Sequence, residues 1–153
     1  MVSDQISAEA GSAMNDKIFK PSSSYQLVLP ENVSEQSEEE ISSFWLDGKP
    51  LLLQLSSYIR NKEKQVGARD RLRDRIGKHT QTWSIWPADI YYDSAVDQAT
   101  AEFTDDNGIL WIHSYLVWPH LAIYAIISGP EELVRDQNNW AIQGLKSVRL
   151  ITH

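Results

Sequence analysis

The chain has 153 residues, with 21 acidic and 14 basic side chains, a formal charge of −7, six tryptophans, six tyrosines and no cysteine. That length suits one domain able to bury a core without covalent or metal cross-links. The missing cysteine excludes disulfides, thiolate zinc sites and cysteine nucleophiles, and the acidic balance argues against general binding to nucleic-acid phosphates.

The charge is unevenly spread. Nine acidic residues against Lys17 and Lys20 fall before Lys49, whereas eight Lys or Arg against three acids fall between Arg60 and His79. An acidic chain of this kind suits a basic partner. Residues 1–24 are rich in Ser, Ala, Asp and Gln and predict a loosely held tail, with one domain over 25–153. The start, MVSDQISAEAGSAMNDKIF, has no cationic segment followed by an apolar one, so no secretory leader is expected and the cytoplasm is the expected compartment.

Tyr25 to Leu29 reads as a short edge strand closed by Pro30. In ENVSEQSEEEISSFW, Ile41 and Trp45 are one helical turn apart, which predicts a short helix starting near Ser34 or Ser37 with Glu38, Glu39 and Glu40 in solvent. After the Asp47-Gly48 turn, LLLQLSSYIR alternates as a half-buried antiparallel strand. Leu51, Leu53, Leu55, Ser57 and Ile59 face one way, and Leu52, Gln54, Ser56 and Tyr58 the other. GARDRLRDRIGK, residues 67–78, places Ala68, Leu72 and Ile76 on one narrow stripe, so it reads either as a solvated amphipathic helix or as a basic patch built from Arg69, Arg71, Arg73, Arg75 and Lys78. A strand at Thr82 to Trp86 follows, then an irregular stretch in which Trp83, Trp86, Tyr91 and Tyr92 lie near Asp89, Asp93 and Asp97. Those aspartates lack calcium-loop spacing, and no metal site is expected.

The longest apolar segment is Ile109 to Ser128, preceded by Asp105-Asp106-Asn107-Gly108. Asn-Gly supplies the positive φ angles of a hairpin turn, and Pro119 divides the run, so three antiparallel strands are predicted: 99–104, 109–118 and 121–128. Alternation sorts Ala99, Ala101, Phe103, Leu110, Ile112, Ser114, Leu116 and Trp118 onto a core face, with Leu121, Ile123, Ala125 and Ile127 if the Pro119-His120 loop is even. The opposite face collects Thr100, Glu102, Thr104, Trp111, His113, Tyr115, Val117, Ala122, Tyr124 and Ile126. Its mixture of rings, a carboxylate and an imidazole is that of a partner-binding surface, with Trp111, Tyr115 and Tyr124 as anchors and Glu102 and His113 beside them. Gly129, Pro130, Glu131 and Glu132 then open a C-terminal helix whose stripe of Val134, Ala141, Leu145 and Val148 should pack on the core face, and Gly144 inside it implies close approach to a strand.

These elements describe an α+β domain: an antiparallel sheet of about five or six strands, one face covered by the C-terminal helix, short helices at the edges. No phosphate loop, zinc-binding helix or nucleophile signature is present, and no cofactor is expected. His113 and His120, seven positions apart, do not define a metal pair. An enzyme would have to use Glu102 and His113 as a proton-transfer pair, and a self-associating scaffold is a further alternative. The strand PLLLQLSSYIR, the helix ARDRLRDRI, the sheet GILWIHSYLVWPHLAIYAIISGPEE and a closing tryptophan-bearing helix resemble bacterial immunity proteins that neutralise polymorphic or contact-delivered toxins. The resemblance spans residues 25–150 and implies a one-to-one protective complex with a toxin domain. It assigns no individual residue, so the expected interface rests on the strand-face argument.

Overall fold

A computed structural model of the protein describes residues 15–60, 66–77, 84–86 and 96–151, the segment 84–86 as backbone alone. Among the described residues, ten strands form two antiparallel sheets. The large sheet holds β3 (Ser34–Glu38), β4 (Ile41–Trp45), β5 (Leu52–Ile59), β6 (Ser84–Trp86), β7 (Asp97–Thr104), β8 (Ile109–Val117) and β9 (Leu121–Pro130), in the spatial order β3-β4-β5-β9-β8-β7-β6. The small sheet holds β1 (Asp16–Phe19), β2 (Tyr25–Pro30) and β10 (Arg149–Leu150), with β2 in the middle. The described residues also form three helices: α1 (Ala68–Ile76), α2 (Glu131–Val134) and α3 (Trp140–Lys146). The α+β antiparallel class read from the sequence holds, with seven strands in the large sheet and a second sheet beside it.

The topology places the layers. β3, β4 and β5 form a meander. The chain then crosses one face of the sheet through α1 to the far edge, and β6 to β9 meander back until β9 pairs with β5 from Leu52↔Ser128 to Ile59↔Leu121. On the opposite face lies the main core, where Phe44, Leu53, Leu55, Leu110, Leu116, Ile123 and Ile127 meet Tyr25, Leu27 and Leu29 of the small sheet and Ile142 and Leu145 of α3. Each such side chain contributes about 1.5–3 kcal/mol when removed from water. A second, smaller core forms under α1, whose stripe Ala68, Leu72 and Ile76 packs on Ala99, Ala101, Tyr115, Val117, Ala122 and Tyr124. The narrow apolar stripe of this helix thus has its partner, and Asp97 at the start of β7 caps it: Ala68 N–H donates to Asp97 Oδ2 at 2.9 Å.

Several expectations are corrected. Residues 34–45 are a β-hairpin and not a helix: Ser34 to Glu38 pair with Ile41 to Trp45 across a turn in which Glu39 has a φ of 53°. The i, i+4 spacing of Ile41 and Trp45 misled because both lie on one face of a strand too, and pairing of β4 with β5 overrides local propensity. Asp16–Phe19, inside the expected tail, is a strand on β2, which makes Tyr25–Pro30 central and not an edge. The single C-terminal helix is two short ones. β9 runs on through Gly129, whose added Cβ would meet Pro50 O at 2.9 Å, so this glycine serves close approach to the start of β5 and not a helix cap.

The correction with the widest consequence concerns the Asn-Gly hairpin. Asp105 N–H donates to Ile109 O at 2.9 Å and Gly108 N–H to Asp105 O at 3.1 Å, leaving a three-residue loop with Gly108 at φ 78°. An odd loop shifts β7 by one residue against the expected register, and such a shift exchanges its faces. Thr100 therefore lies opposite Ser114 and Ala101 opposite His113. Ala99 and Ala101 go under α1, while Thr100 and Glu102 go to the main-core side, where the Thr100 and Ser114 hydroxyls bond at 2.6 Å. The Pro119-His120 turn is even, as Trp118 N–H donates to Leu121 O, and β9 keeps its expected faces.

Candidate functional site

Helix α1 packs on β7 and β8, reaches Ala122 and Tyr124 of β9 and has Tyr58 of β5 at its edge, and among the described residues no helix or strand packs over β3, β4 and the rest of β5 on the same face of the sheet. The register defines two cross-strand rows passing from open to covered territory. One runs Glu38, Ile41, Ser56, Tyr124, Tyr115, Ala99; the other Gln36, Ser43, Gln54, Ile126, His113, Ala101. The outer halves of both rows line a cleft of about 640 Å³ formed by Gln36, Glu38, Glu39, Ile41, Ser43 and Gln54. Its floor is held by hydrogen bonds between side chains, from Gln54 Nε2 to Ser43 Oγ at 3.2 Å and from Gln36 Nε2 to Glu38 Oε1 at 2.8 Å.

At the edge of α1 the cleft meets a smaller cavity of about 130 Å³, which shares Ile41 and Gln54 with it and adds Ser56, Tyr58, Arg75, Tyr124 and Ile126. Arg75, in the last turn of α1, turns in toward the sheet. Its Nε and Nη2 donate to Tyr115 Oη at 3.2 and 3.0 Å, and Nη2 also reaches Tyr58 Oη at 3.3 Å. The guanidinium carbon stands 4.3 Å from the Tyr124 ring centroid, a cation–π geometry. Partial burial works against the guanidinium charge, but the Tyr58 and Tyr115 hydroxyls outweigh it and hold Arg75 above its ordinary pKa. Burial pushes the Tyr124 phenol up as well, partly countered by the Arg75 charge, so it stays neutral. The Tyr124 hydroxyl bonds His113 Nδ1, and the Tyr115 and Tyr124 rings lie 4.6 Å apart.

The five residues expected at a partner surface are thus distributed unequally. His113, Tyr115 and Tyr124 do come together, but at 8, 4 and 5% exposure, Tyr115 and Tyr124 packed beneath α1, so they are not on an open face as expected. Trp111 is half-buried on the same side of the sheet and donates its indole Nε1–H to Asp105 Oδ2 at 3.1 Å, bracing the hairpin turn. Glu102 is on the other side, opposite Ile112 and paired to Arg135 at 3.1 Å. The proposed Glu102/His113 proton-transfer pair is therefore not formed. Trp83, Asp89, Tyr91, Tyr92 and Asp93, and the Trp86 side chain, lie outside the described residues.

Sequence reading did not single out Arg75, Tyr58, Gln54, Ser43, Gln36 or Glu38 as neighbours. For Gln54, Ser56 and Tyr58 the signal existed, since alternation along β5 assigned all three to the face opposite the leucines. For Arg75 it did not, because four arginines around a helix look alike until a sheet lies beneath one of them. Among the described residues no cluster of His, Asp or Glu has the geometry to hold a metal ion, and no helix is long and apolar enough to cross a membrane.

No family model and no curated protein matches the chain. A crystal structure from Bacteroides thetaiotaomicron VPI-5482 is similar to it, with a TM-score of 0.58 and 11% sequence identity over 91% of this chain and 49% of that one. The chain thus spans about half the length of that structure's chain. At this identity the likeness is one of fold.

Proposed function

We propose that the protein is a cytoplasmic binding module that engages a protein partner through the open β3–β4–β5 face, and that it acts as an immunity protein toward a toxin domain. The observation that carries this reading is that, among the described residues, the sheet is incompletely covered. Helix α1 seals one half of a face whose other half is a polar cleft large enough for a segment of partner chain. The cleft wall offers amides and hydroxyls that can satisfy a partner's polar groups, and its lip carries Glu38 and Glu39. Between Glu31 and Gly48 there are six acidic residues and no Lys or Arg, a field that attracts a basic partner and speeds its association. This reading moves the interface from Trp111, Tyr115 and Tyr124 to the neighbouring strands. The three rings become its rigid support.

The test is affinity capture from the native cell with mass spectrometry, followed by reconstitution with the recovered partner. Ser43→Trp should fill the cleft and abolish a one-to-one complex, while Arg135→Ala, on the other side of the sheet, should leave it intact. The partner should arrest growth when expressed alone and not when co-expressed with this chain. A complex indifferent to Ser43→Trp refutes the site, and a partner without toxicity refutes the role.

A further inference from the structure

We propose that the cavity between α1 and β5 is a carboxylate-binding site, with the Arg75 guanidinium as the group that recognises the anion and the Gln54, Ser56 and Tyr58 side chains lining its seat.

Charge compensation is the first argument. Arg75 is partly withdrawn from water, yet its partners are three tyrosines: the Tyr58 and Tyr115 hydroxyls as acceptors and the Tyr124 ring as a π face. Among the described residues the ion pairs are those of Arg135 with Glu102 and Glu131, and no carboxylate lies within ion-pair distance of Arg75. A half-buried guanidinium whose partners carry no formal charge can still take a counter-charge, and a charge-assisted contact made there is stronger than one in open water. Preorganisation is the second. Two tyrosine hydroxyls fix Nε and Nη2, while Nη1 has no acceptor among the described residues, so the fork is held in place before a ligand arrives. Shape is the third argument: a space of about 130 Å³ takes a carboxylate with the few atoms next to it, and no large head group. The amide of Gln54 and the hydroxyls of Ser56 and Tyr58 are donors of the kind that complete a carboxylate's acceptor sites.

The cavity shares Ile41 and Gln54 with the larger cleft, so the carboxylate can belong to a free acid of amino-acid size or to the end of a chain lying along β3–β4–β5. In the second case its cationic side chains would pass the Glu38 and Glu39 lip. The inference rests on the cleft being a binding face. It is tested with small probes alone, so it can fail while the protein complex survives, and the complex can fail while the probes bind.

The experiment is an NMR titration of the full chain with N-acetylglycine, its amide, and an acetylated hexapeptide as free acid and as amide, following the Arg75 Nε–H and Gln54 side-chain amide signals. The free acids should bind with a Kd of about a millimolar, the scale one charge-assisted contact gives a ligand of this size. The amides should bind about tenfold to a hundredfold more weakly. Arg75→Gln should cost the acids the same factor, and Arg75→Lys, which keeps the charge and loses the fork, should recover part of it. If Arg75→Gln does not fold, Ile41→Trp serves instead, since Ile41 is 46% exposed at the rim and a ring there closes the cavity without disturbing the core. A hexapeptide acid binding tenfold tighter than N-acetylglycine assigns the site to a chain end, and equal affinity assigns it to a free acid. The proposal is overturned if acids and amides bind alike, if neither shifts the signals at about ten times the expected Kd, or if acid binding survives in the folded Arg75 or Ile41 variant.

Discussion

Asn139 joins the two short C-terminal helices, and its replacement tests whether that joint holds the end of the fold. The residue is buried, with its Oδ1 accepting the Ile142 N–H at 2.8 Å as the cap of α3. Its Nδ2 shares two hydrogens among the carbonyls of Leu133, Val134 and Asp136 at 3.3, 3.0 and 2.9 Å, which closes the end of α2. Loss of an N-cap costs about 0.5–2 kcal/mol. Leaving a buried carbonyl such as that of Val134 without a donor costs about 1–3 kcal/mol more. Asn139→Ala should therefore destabilise the protein by about 2–4 kcal/mol, or roughly 5–15 °C in Tm for a chain of this length. Urea unfolding with linear extrapolation measures the free energy, provided fluorescence and circular dichroism give one transition. Asn139→Asp separates the two roles. It keeps the cap and adds a favourable charge at the helix start, but sets a carboxylate against three carbonyls. If the bridge matters as argued, Asp should cost about 2 kcal/mol or more; if only the cap matters, it should lie within about 0.5 kcal/mol of wild type. A near-neutral Asn139→Ala would refute the reasoning altogether.

Gly144→Ala should destabilise the fold although alanine favours helix by about 1 kcal/mol, because the new Cβ would stand 2.2 Å from Leu29 Cδ2, a methyl in the packed core. Overpacking of this severity falls in the upper part of the usual range of about 1–3 kcal/mol, for a net loss of about 1–2 kcal/mol. Combining it with Leu29→Ala should give a cost below the sum of the two, and a stabilising Gly144→Ala would refute the close approach. Asp105 gives a pH dependence. Hydrogen bonds from Trp111 Nε1 and then Ile109 N–H hold its carboxyl below its ordinary pKa, Asn107 N–H adding to them against a small opposing effect of burial. A depressed folded-state pKa means that the contribution is fully present above the ordinary carboxylate value and is lost as pH falls through the lower folded one. The Trp111 indole N–H resonance should report that titration below the ordinary range. A midpoint at or above it, or an unchanged acid limb in Asp105→Asn, would contradict the turn geometry.

Much of this molecule is legible in the alternation of its residues. Leucines 51, 53 and 55, the stripe of Ala68, Leu72 and Ile76, and the alternating faces of β8 and β9 could be assigned without coordinates, because side-chain direction repeats every two residues in a strand and every three to four in a helix. The class of fold follows from these periods. Counting residues through a turn is where the reading failed: Asp105 to Ile109 closes a three-residue loop, and one residue of loop length carries Glu102 to the far side of the sheet from His113.

By itself, then, the sequence determined which side chains alternate together, where the apolar runs break, and that the N-terminal third is acidic. Tertiary structure decided what covers what. Ile41 and Trp45 sit equally well on a helix or on a strand until β5 lies alongside. Among the described residues, the open and sealed halves of the sheet face differ because α1 crosses one of them, and Arg75 is distinguished from its neighbours by what lies under the helix. Periodicity is a property of the local backbone and is written residue by residue. Burial depends on partners distant in the chain, whose positions follow from turn lengths and crossovers that no local pattern encodes.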